Sequence, residues 1–434
     1  MKHSPDRRLF LQSAAAAVAA GSTSRILGAN ERINLVVIGV GGRGGSHLNN
    51  FGKLAGCRIA GVCDVNQAAR ERAVATAEKL GHPHATEYND MRRVFDDKNI
   101  DAVSMATPNH WHALGTILAV QAGKDVYVEK PASHNIFEGV KMVEAARKYK
   151  RMVQVGSQGR TTPHKIKAMK LLQEGVIGKV YLSKGLCYKR RKSIGRTPDQ
   201  PVPAGVDWDM FLGPAPMRAF SPNRFKYNWH WFWDTGNGDI GNQGVHEMDI
   251  AIWGLGRTTL PTSVVSTGGK WAYDDDQETP NTQLAQFDFG DAHLVFEVRG
   301  LITGGEAGLR DRGNVVGNIF YGSDGYMAVD GSGFSVYKGE ERQLAMEEKA
   351  QGDGTSLHMQ NFLDAIRSRR HQDLNAEVEI GARGAALCHL ANISYRLGRK
   401  LDFDPAAGKF RNDADANRMV TRDYRKPYVV PESV

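Results

Sequence analysis

Apolar residues run nearly unbroken through INLVVIG (33–39), CRIAGVCDVN (57–66), AVSMATP (102–108), DVYVEKP (125–131) and MVQVG (152–156). Short continuous apolar runs fit strands buried on both faces. Between them the spacing turns helical, predicting helices over 66–80, 111–122 and 138–149 and one beginning around His47. That alternation is the rhythm of a parallel sheet. Beyond Gly156 the pattern changes. After a helix over 163–175, the runs VYLSKGLCY (180–188), SVVSTGG, QLAQFDF, AHLVFEV and YMAVD follow with no helix between them. This implies a largely antiparallel open sheet. Helical spacing returns at SLHMQNFLDAIRSR and GARGAALCHLANISYRLGR. The fold class expected is therefore α/β plus α+β: an N-terminal Rossmann dinucleotide-binding domain over 30–156, then a substrate and oligomerisation domain over 157–400. Residues 401–434 are polar and are expected to form a C-terminal arm.

At 434 residues the chain exceeds one ordinary core, in keeping with two domains. Hydrophobic residues make up 41% and charged residues 24%, a composition that points to neither a fibrous nor a disordered class. The net charge of +8 is spread out, and no nucleic-acid-binding module is visible, so no nucleic-acid partner is expected. The densest basic run, Lys189 to Lys192, reads either as a solvated loop or as a grip on an anionic substrate.

The first 29 residues set Arg7 and Arg8 before a short apolar stretch and small residues, the pattern of a twin-arginine export signal, so a periplasmic location is expected. No later run approaches the length of a membrane span. Cys57 and Cys63 flank one strand and so lie roughly 20 Å apart, out of disulfide reach. His82/His84 and His110/His112 reproduce no strong ligand spacing, and no metal site is expected.

The first apolar run ends in Gly39-x-Gly41-x-x-Gly44, with Gly42 and Arg43 between. The first glycine allows a tight turn, the second admits a diphosphate, and the third lets helix and strand pack. Asp64 closes the next strand at the distance where a dinucleotide fold places the acid for the adenosine ribose. A carboxylate there repels a 2′-phosphate, favouring NAD over NADP. Ligands of such sheets bind beyond the carboxyl ends of the strands, so Thr107, Pro108, Asn109, Glu129 and Lys130 fall on the cofactor edge.

Together with this fingerprint, TPNHWH (107–112), EKP (129–131) and GVHEMD (244–249) occur in an order that resembles the glucose-fructose oxidoreductase and inositol dehydrogenase family, Gfo/Idh/MocA. The resemblance implies that Lys130 is the catalytic lysine and that Asn109 and His112 lie beside the nicotinamide. It also implies a homodimer or homotetramer paired through the open sheet. A carbinol loses hydride only if a base takes its hydroxyl proton, and a lysine kept neutral by burial can serve.

Family members commonly show Asp-x-x-x-His after the glycine loop; here His246 matches the histidine but Asn242 replaces the acid. Asparagine can hold a hydroxyl but takes no proton. Lys130 and His246 are expected to converge on one substrate carbon, with Asn242 orienting the hydroxyl and Asp249 orienting the imidazole. The loop GNGDIGNQG (236–244) reads as too glycine-rich for a helix. Trp229, Trp231 and Trp233 alternate as on a strand, which would put all three on one face. Trp231, His230, Arg160 and Tyr188 join Asp249 as substrate-side candidates. The leading expectation is an exported NAD-dependent oxidoreductase of a sugar or sugar derivative with a retained cofactor. A redox-assisted glycosidase or lyase, and a non-catalytic carbohydrate-binding protein, are the alternatives.

Overall fold

Six strands, β1 (Ile33–Ile38), β2 (Cys57–Cys63), β3 (Thr86–Tyr88), β4 (Ala102–Met105), β5 (Asp125–Val128) and β6 (Val153–Val155), form the first sheet. All neighbours are parallel, in the order β3-β2-β1-β4-β5-β6. The chain direction across the sheet reverses between β1 and β4, and a crevice opens there at the carboxyl ends of the strands. β4 and β5 are buried along their whole length, as their unbroken apolar runs require. The computed structural model describes residues 32–309 and 313–434, so the expected export signal (1–29) lies outside the described residues.

The second sheet holds ten strands: β7 (Val180–Tyr188), β8 (Ser263–Gly269), β9 (Thr282–Asp288), β10 (His293–Arg299), β11 (Val315–Gly322), β12 (Gly325–Asp330), β13 (Gly333–Lys338), β14 (Gln343–Lys349), β15 (Leu401–Asp404) and β16 (Lys409–Phe410). Their order is β14-β13-β12-β11-β7-β10-β9-β8-β15-β16. Every pairing is antiparallel except β7 with β10. Along β10, Leu294, Phe296 and Val298 are buried while the residues between them are not, so one face meets the core. Helices Gly244–Gly254 and Val378–Leu397 cover that face.

Three local expectations need correction. The helix after the glycine turn spans Gly42–Phe51, starting well before His47, so Gly42, Arg43 and Gly44 form its first turn. The glycine-rich stretch is not a loop: Gly238–Asn242 is already helical and Gly244–Gly254 follows. Its glycines serve close packing, since a Cβ on Gly244 would lie 2.9 Å from the Phe296 ring and one on Gly241 2.4 Å from Asn237. The tryptophan segment is no strand either, because Asn228–Trp231 is a 3-10 turn.

The C-terminal part returns to the first sheet, and Ile33–Val434 forms one compact unit. Met359, Phe362 and Leu363 of helix Thr355–Ser368 share a core with Leu35, Phe51 and Tyr127. Leu401–Asp404 belongs to the second sheet rather than to an arm. The last residues cross the same molecule, where Tyr428 and Val430 pack into the core that holds Trp111 and Met210.

Candidate functional site

Gly39 leaves β1 at φ +79, and a Cβ there would lie 2.7 Å from the Ala106 carbonyl oxygen. A Cβ on Gly44 would fall 1.7 Å from the Gly39 carbonyl oxygen, whereas one on Gly41 or Gly42 would meet nothing within 4 Å. The glycines thus divide into two that permit the fold and two that keep space open. The helix beginning at Gly42 has no side-chain cap, which leaves its N-terminal dipole to the cavity. Asp64 braces the turn by accepting the Val40 N–H at 2.8 Å and the Asn66 N–H at 2.9 Å.

Glu129 sits beneath this turn, buried, and accepts from Arg43 Nε at 2.7 Å and from the Lys130 backbone N–H at 3.1 Å. His47 Nε2 meets the same carboxylate at 2.9 Å, with Nδ1 on the Ser104 hydroxyl. Burial works to raise the Glu129 pKa, yet Arg43 and His47 hold it well below the usual carboxylate range. Next along the chain, Lys130 gives its ammonium Nζ to the Asn242 carbonyl at 3.0 Å. That carbonyl is available because the helix is interrupted: the His246 N–H goes to the Gln243 carbonyl at 3.1 Å instead. Burial lowers the Lys130 pKa, with Glu129 opposing the shift and Arg43 adding to it.

These groups wall a cavity of about 570 Å³. The wall includes Gly39, Gly41, Gly42, Arg43, Asp64, Thr107, Pro108, Asn109, His112, Glu129 and Lys130. Arg43 Nη2 and Thr107 Oγ1 are buried without a hydrogen-bond partner. Open space at Gly41 and Gly42, a strand-end carboxylate and unpartnered polar atoms fit a dinucleotide. The opposite wall is Met210, Phe211, Phe225, Tyr227, Trp229 and His230. Backbone bonds from Gln67 to Gly205 (2.8 Å) and from Asp207 to Val65 (2.9 Å) lay this segment across the end of β2. Trp208 and Phe211 stack at 4.8 Å within it. The C-terminal tail fastens it, Arg425 donating to Asp209 at 2.6 Å and to the Gly213 carbonyl at 2.9 Å.

On the far side of Lys130, buried Asn242 donates through Nδ2 to the Tyr227 hydroxyl at 2.9 Å. Arg191 donates to the same hydroxyl at 3.0 Å and pairs with buried Asp239 at 2.7 and 2.9 Å. His230 stacks on Trp229 at 3.6 Å, and burial pushes its pKa down to about 3, with Lys130 adding to the shift.

Family models match almost the whole described chain. Residues 33–157 match the oxidoreductase family, NAD-binding Rossmann fold, and residues 161–277 and 323–430 match the same family's C-terminal alpha/beta domain. The chain belongs to the Gfo/Idh/MocA family. This is an oxidoreductase family, and residues 33–157 are its NAD-binding Rossmann domain. Among curated relatives, a glycosyl hydrolase family 109 protein of Saccharopolyspora erythraea is 26% identical over 217 residues, 49% of this chain and 42% of that one. One of a Shewanella species is 30% identical over 147 residues, 33% of this chain and 32% of that one. The chain thus spans less than half the length of these relatives. Levoglucosan dehydrogenase in complex with NADH superposes at TM-score 0.67 with 18% identity, covering 86% of this chain and 99% of that one. The WlbA dehydrogenase of Bordetella pertussis in complex with NADH and UDP-GlcNAcA gives 0.64 with 19% identity, covering 86% and 99%. At such identities these structures share the fold.

Placed in this Gfo/Idh/MocA frame, every residue expected on the cofactor edge lines the large cavity except Gly44, which packs the turn behind it. Lys130 and Asn242 line it together. His246 does not. It lines a neighbouring pocket of about 270 Å³ with Lys165, Gln243 and Glu247, yet lies near enough to Lys130 for that charge to add to burial in lowering the His246 pKa. Between Asn242 and His246, Gln243 keeps helical dihedrals (φ -79, ψ -45) while the bonding tightens, the His246 N–H going to the Gln243 carbonyl. Asp249 does not orient that imidazole, because both its oxygens are taken by Arg160 at 2.7 and 2.8 Å.

Tyr188 lies away from both cavities, bonded to Glu297 and Glu306 at 2.7 Å each. Of the three tryptophans, Trp229 reaches the large cavity, Trp231 is buried against Arg191, and Trp233 lines a third pocket. The basic run is not a free loop: Lys189 bonds Gln243 at 2.9 Å and Arg191 bonds Asp239. Tyr227 and the Met210/Phe211 cap were not expected at the site. Their only signal in the sequence is aromatic density between 208 and 233, which equally suits a core. Among the described residues no group of three or more His, Cys, Asp or Glu is gathered as metal ligands, and no helix is long and apolar enough to cross a membrane.

Proposed function

We propose that this enzyme oxidises a hydroxyl of a sugar or sugar derivative with NAD and keeps the nucleotide bound between turnovers. The observation that carries the reading is the single cavity joining the fingerprint turn to Lys130 and Asn242. Gly41, Gly42 and the uncapped helix start would hold the diphosphate, Asp64 the adenosine ribose, and Asn109 and His112 the nicotinamide edge. Bound NAD supplies the hydride acceptor. As the carbinol C–H bond breaks, the hydroxyl proton passes to the Lys130 amine, whose charged form burial disfavours. Asn242 keeps Oδ1 for the substrate hydroxyl, its Nδ2 being spent on Tyr227. Tyr227 accepts from two N–H groups and so has its own O–H proton to give to a substrate oxygen. A substrate reaching past Gln243 would meet His246 on its far side.

The aromatic cap over 205–231 and its Arg425 latch support retention. Retention suits a folded, loaded enzyme carried to the periplasm by the signal expected in residues 1–29. The face of the second sheet on which Leu284 is exposed is the surface we assign to pairing between copies. The curated relatives named glycosyl hydrolase family 109 favour a second reading, glycoside cleavage in which the sugar is oxidised, loses its aglycone, takes up water in its place and is reduced again, so that the retained cofactor ends unchanged.

Two assays decide. Denaturing the purified protein should release a nicotinamide nucleotide, and a supernatant without one rejects retention. Incubation with glycosides should yield a keto-sugar under the first reading and free aglycone without net keto-sugar under the second.

A further inference from the structure

The third pocket, of about 290 Å³, has no part in the reaction above. It lies behind Asn237, which accepts from Asn109 of the cofactor edge at 2.9 Å and receives Asn392 on its own carbonyl at 2.9 Å. Its wall brings together Trp233, His389, Arg396, Thr421 and Arg422 from segments far apart in the chain.

The polar groups there have an imbalance. Arg396 stands 5.0 Å over the Trp233 ring and, among the described residues, makes no hydrogen bond and no ion pair within 4.0 Å. Arg422 is fixed by the Asp234 carbonyl at 2.9 Å, the Pro214 carbonyl at 3.2 Å and His134 Nδ1 at 3.0 Å, with no carboxylate against it. Of the two acids on the wall, Asp234 is taken by Arg218 at 2.6 Å and Asp423 is exposed at the rim. His389 is buried at 4% exposure and is held at Ser133, its Nε2 facing the hydroxyl at 3.4 Å.

Arg396, with no acid within 4.0 Å, and Arg422, held only by neutral acceptors, therefore set two guanidiniums on one concavity. Guanidinium forks match carboxylate and phosphate oxygens. We propose that this pocket is a second ligand site, for a carboxylate or phosphate group on a molecule of about monosaccharide size. The volume sits near the lower end of the roughly 300–1,000 Å³ of ligand pockets. This site is independent of the redox reading and stands or falls without it.

The test is calorimetric titration of the full chain saturated with NAD, so that the glycine turn cannot take the anion. The probes are inorganic phosphate, glucose 6-phosphate, glucuronate and glucose. At least one anionic probe should bind, and the arm that binds separates a phosphate from a carboxylate source, glucose reporting only on the sugar cavity. Arg396→Met, at an exposed position, should leave the melting temperature unchanged and weaken that binding about tenfold or more. Binding of equal strength in Arg396→Met, an equal weakening of glucose binding in that variant, or no binding of any anion would overturn the proposal.

Discussion

The cofactor wall and the substrate wall of the same cavity were built in different ways. Each cofactor residue follows the carboxyl end of a buried strand, where the strand itself fixes its place: Gly39 after β1, Asp64 after β2, Thr107 after β4, Lys130 after β5. The substrate wall comes from the long connection between β7 and β8 and from an interrupted helix, where nothing local sets which way a side chain faces. A strand end carries its address in the hydrophobic run before it; a loop takes its address from what it packs against.

The largest expected break in this comparison is at the shared boundary. Lys130→Ala should lower kcat by about 10²–10⁴-fold while NAD still binds, because the glycine turn and Asp64 are untouched. Equal kcat in the variant would remove Lys130 from the chemistry. In the same assay the wild-type rate should rise with pH as Lys130 loses its proton, at a midpoint below the ordinary lysine value of about 10.4.

Within the cofactor wall, Gly44→Ala should cost about 3 kcal/mol of stability or prevent folding, since its Cβ would collide with the Gly39 carbonyl. Gly41→Ala should keep the melting temperature and weaken NAD binding only, because its Cβ enters open space. Thermal melts and NAD titration of the pair check the division; similar losses of stability in both would erase it.

On the substrate side, His246→Ala should cost about tenfold in kcat/KM, well short of Lys130→Ala, given that it lines the adjoining pocket. A loss as large as that of Lys130→Ala would return His246 to the proton path.

The smallest effect concerns stability. Buried Glu138, bonded by Asn135 and the Tyr424 hydroxyl of the C-terminal segment, has its pKa raised by burial to about 7. A raised carboxyl favours the folded state most at pH below its unfolded value, and that contribution is lost as pH rises through about 7. Relative to wild type, Glu138→Gln should therefore gain stability between pH 4.5 and 7 in denaturant titrations. A difference that stays flat across this window would place the titration elsewhere.

Much of the fold was legible in advance because its two sheets write different periods into the chain: unbroken apolar runs for β4 and β5, alternation for β9 and β10. The glycine fingerprint and EKP were legible for the same reason, each being a short motif at a strand end. Less legible were the glycines at 241 and 244, which look like loop residues until Asn237 and Phe296 are seen filling the space a Cβ would need. Trp231 and Trp233 alternate as strand residues would, yet the 3-10 turn sends them to different places.

The sequence by itself thus determined both sheets, the turn for a diphosphate and the lysine at its edge, because each depends on spacing within one segment. Only the tertiary structure decided that Asn242 would offer its main-chain oxygen to Lys130, that Arg160 would claim Asp249, and that His246 would face another pocket. Those outcomes depend on which groups from distant segments reach one another first in a buried space, and a buried charge or carbonyl takes whatever partner the packing supplies.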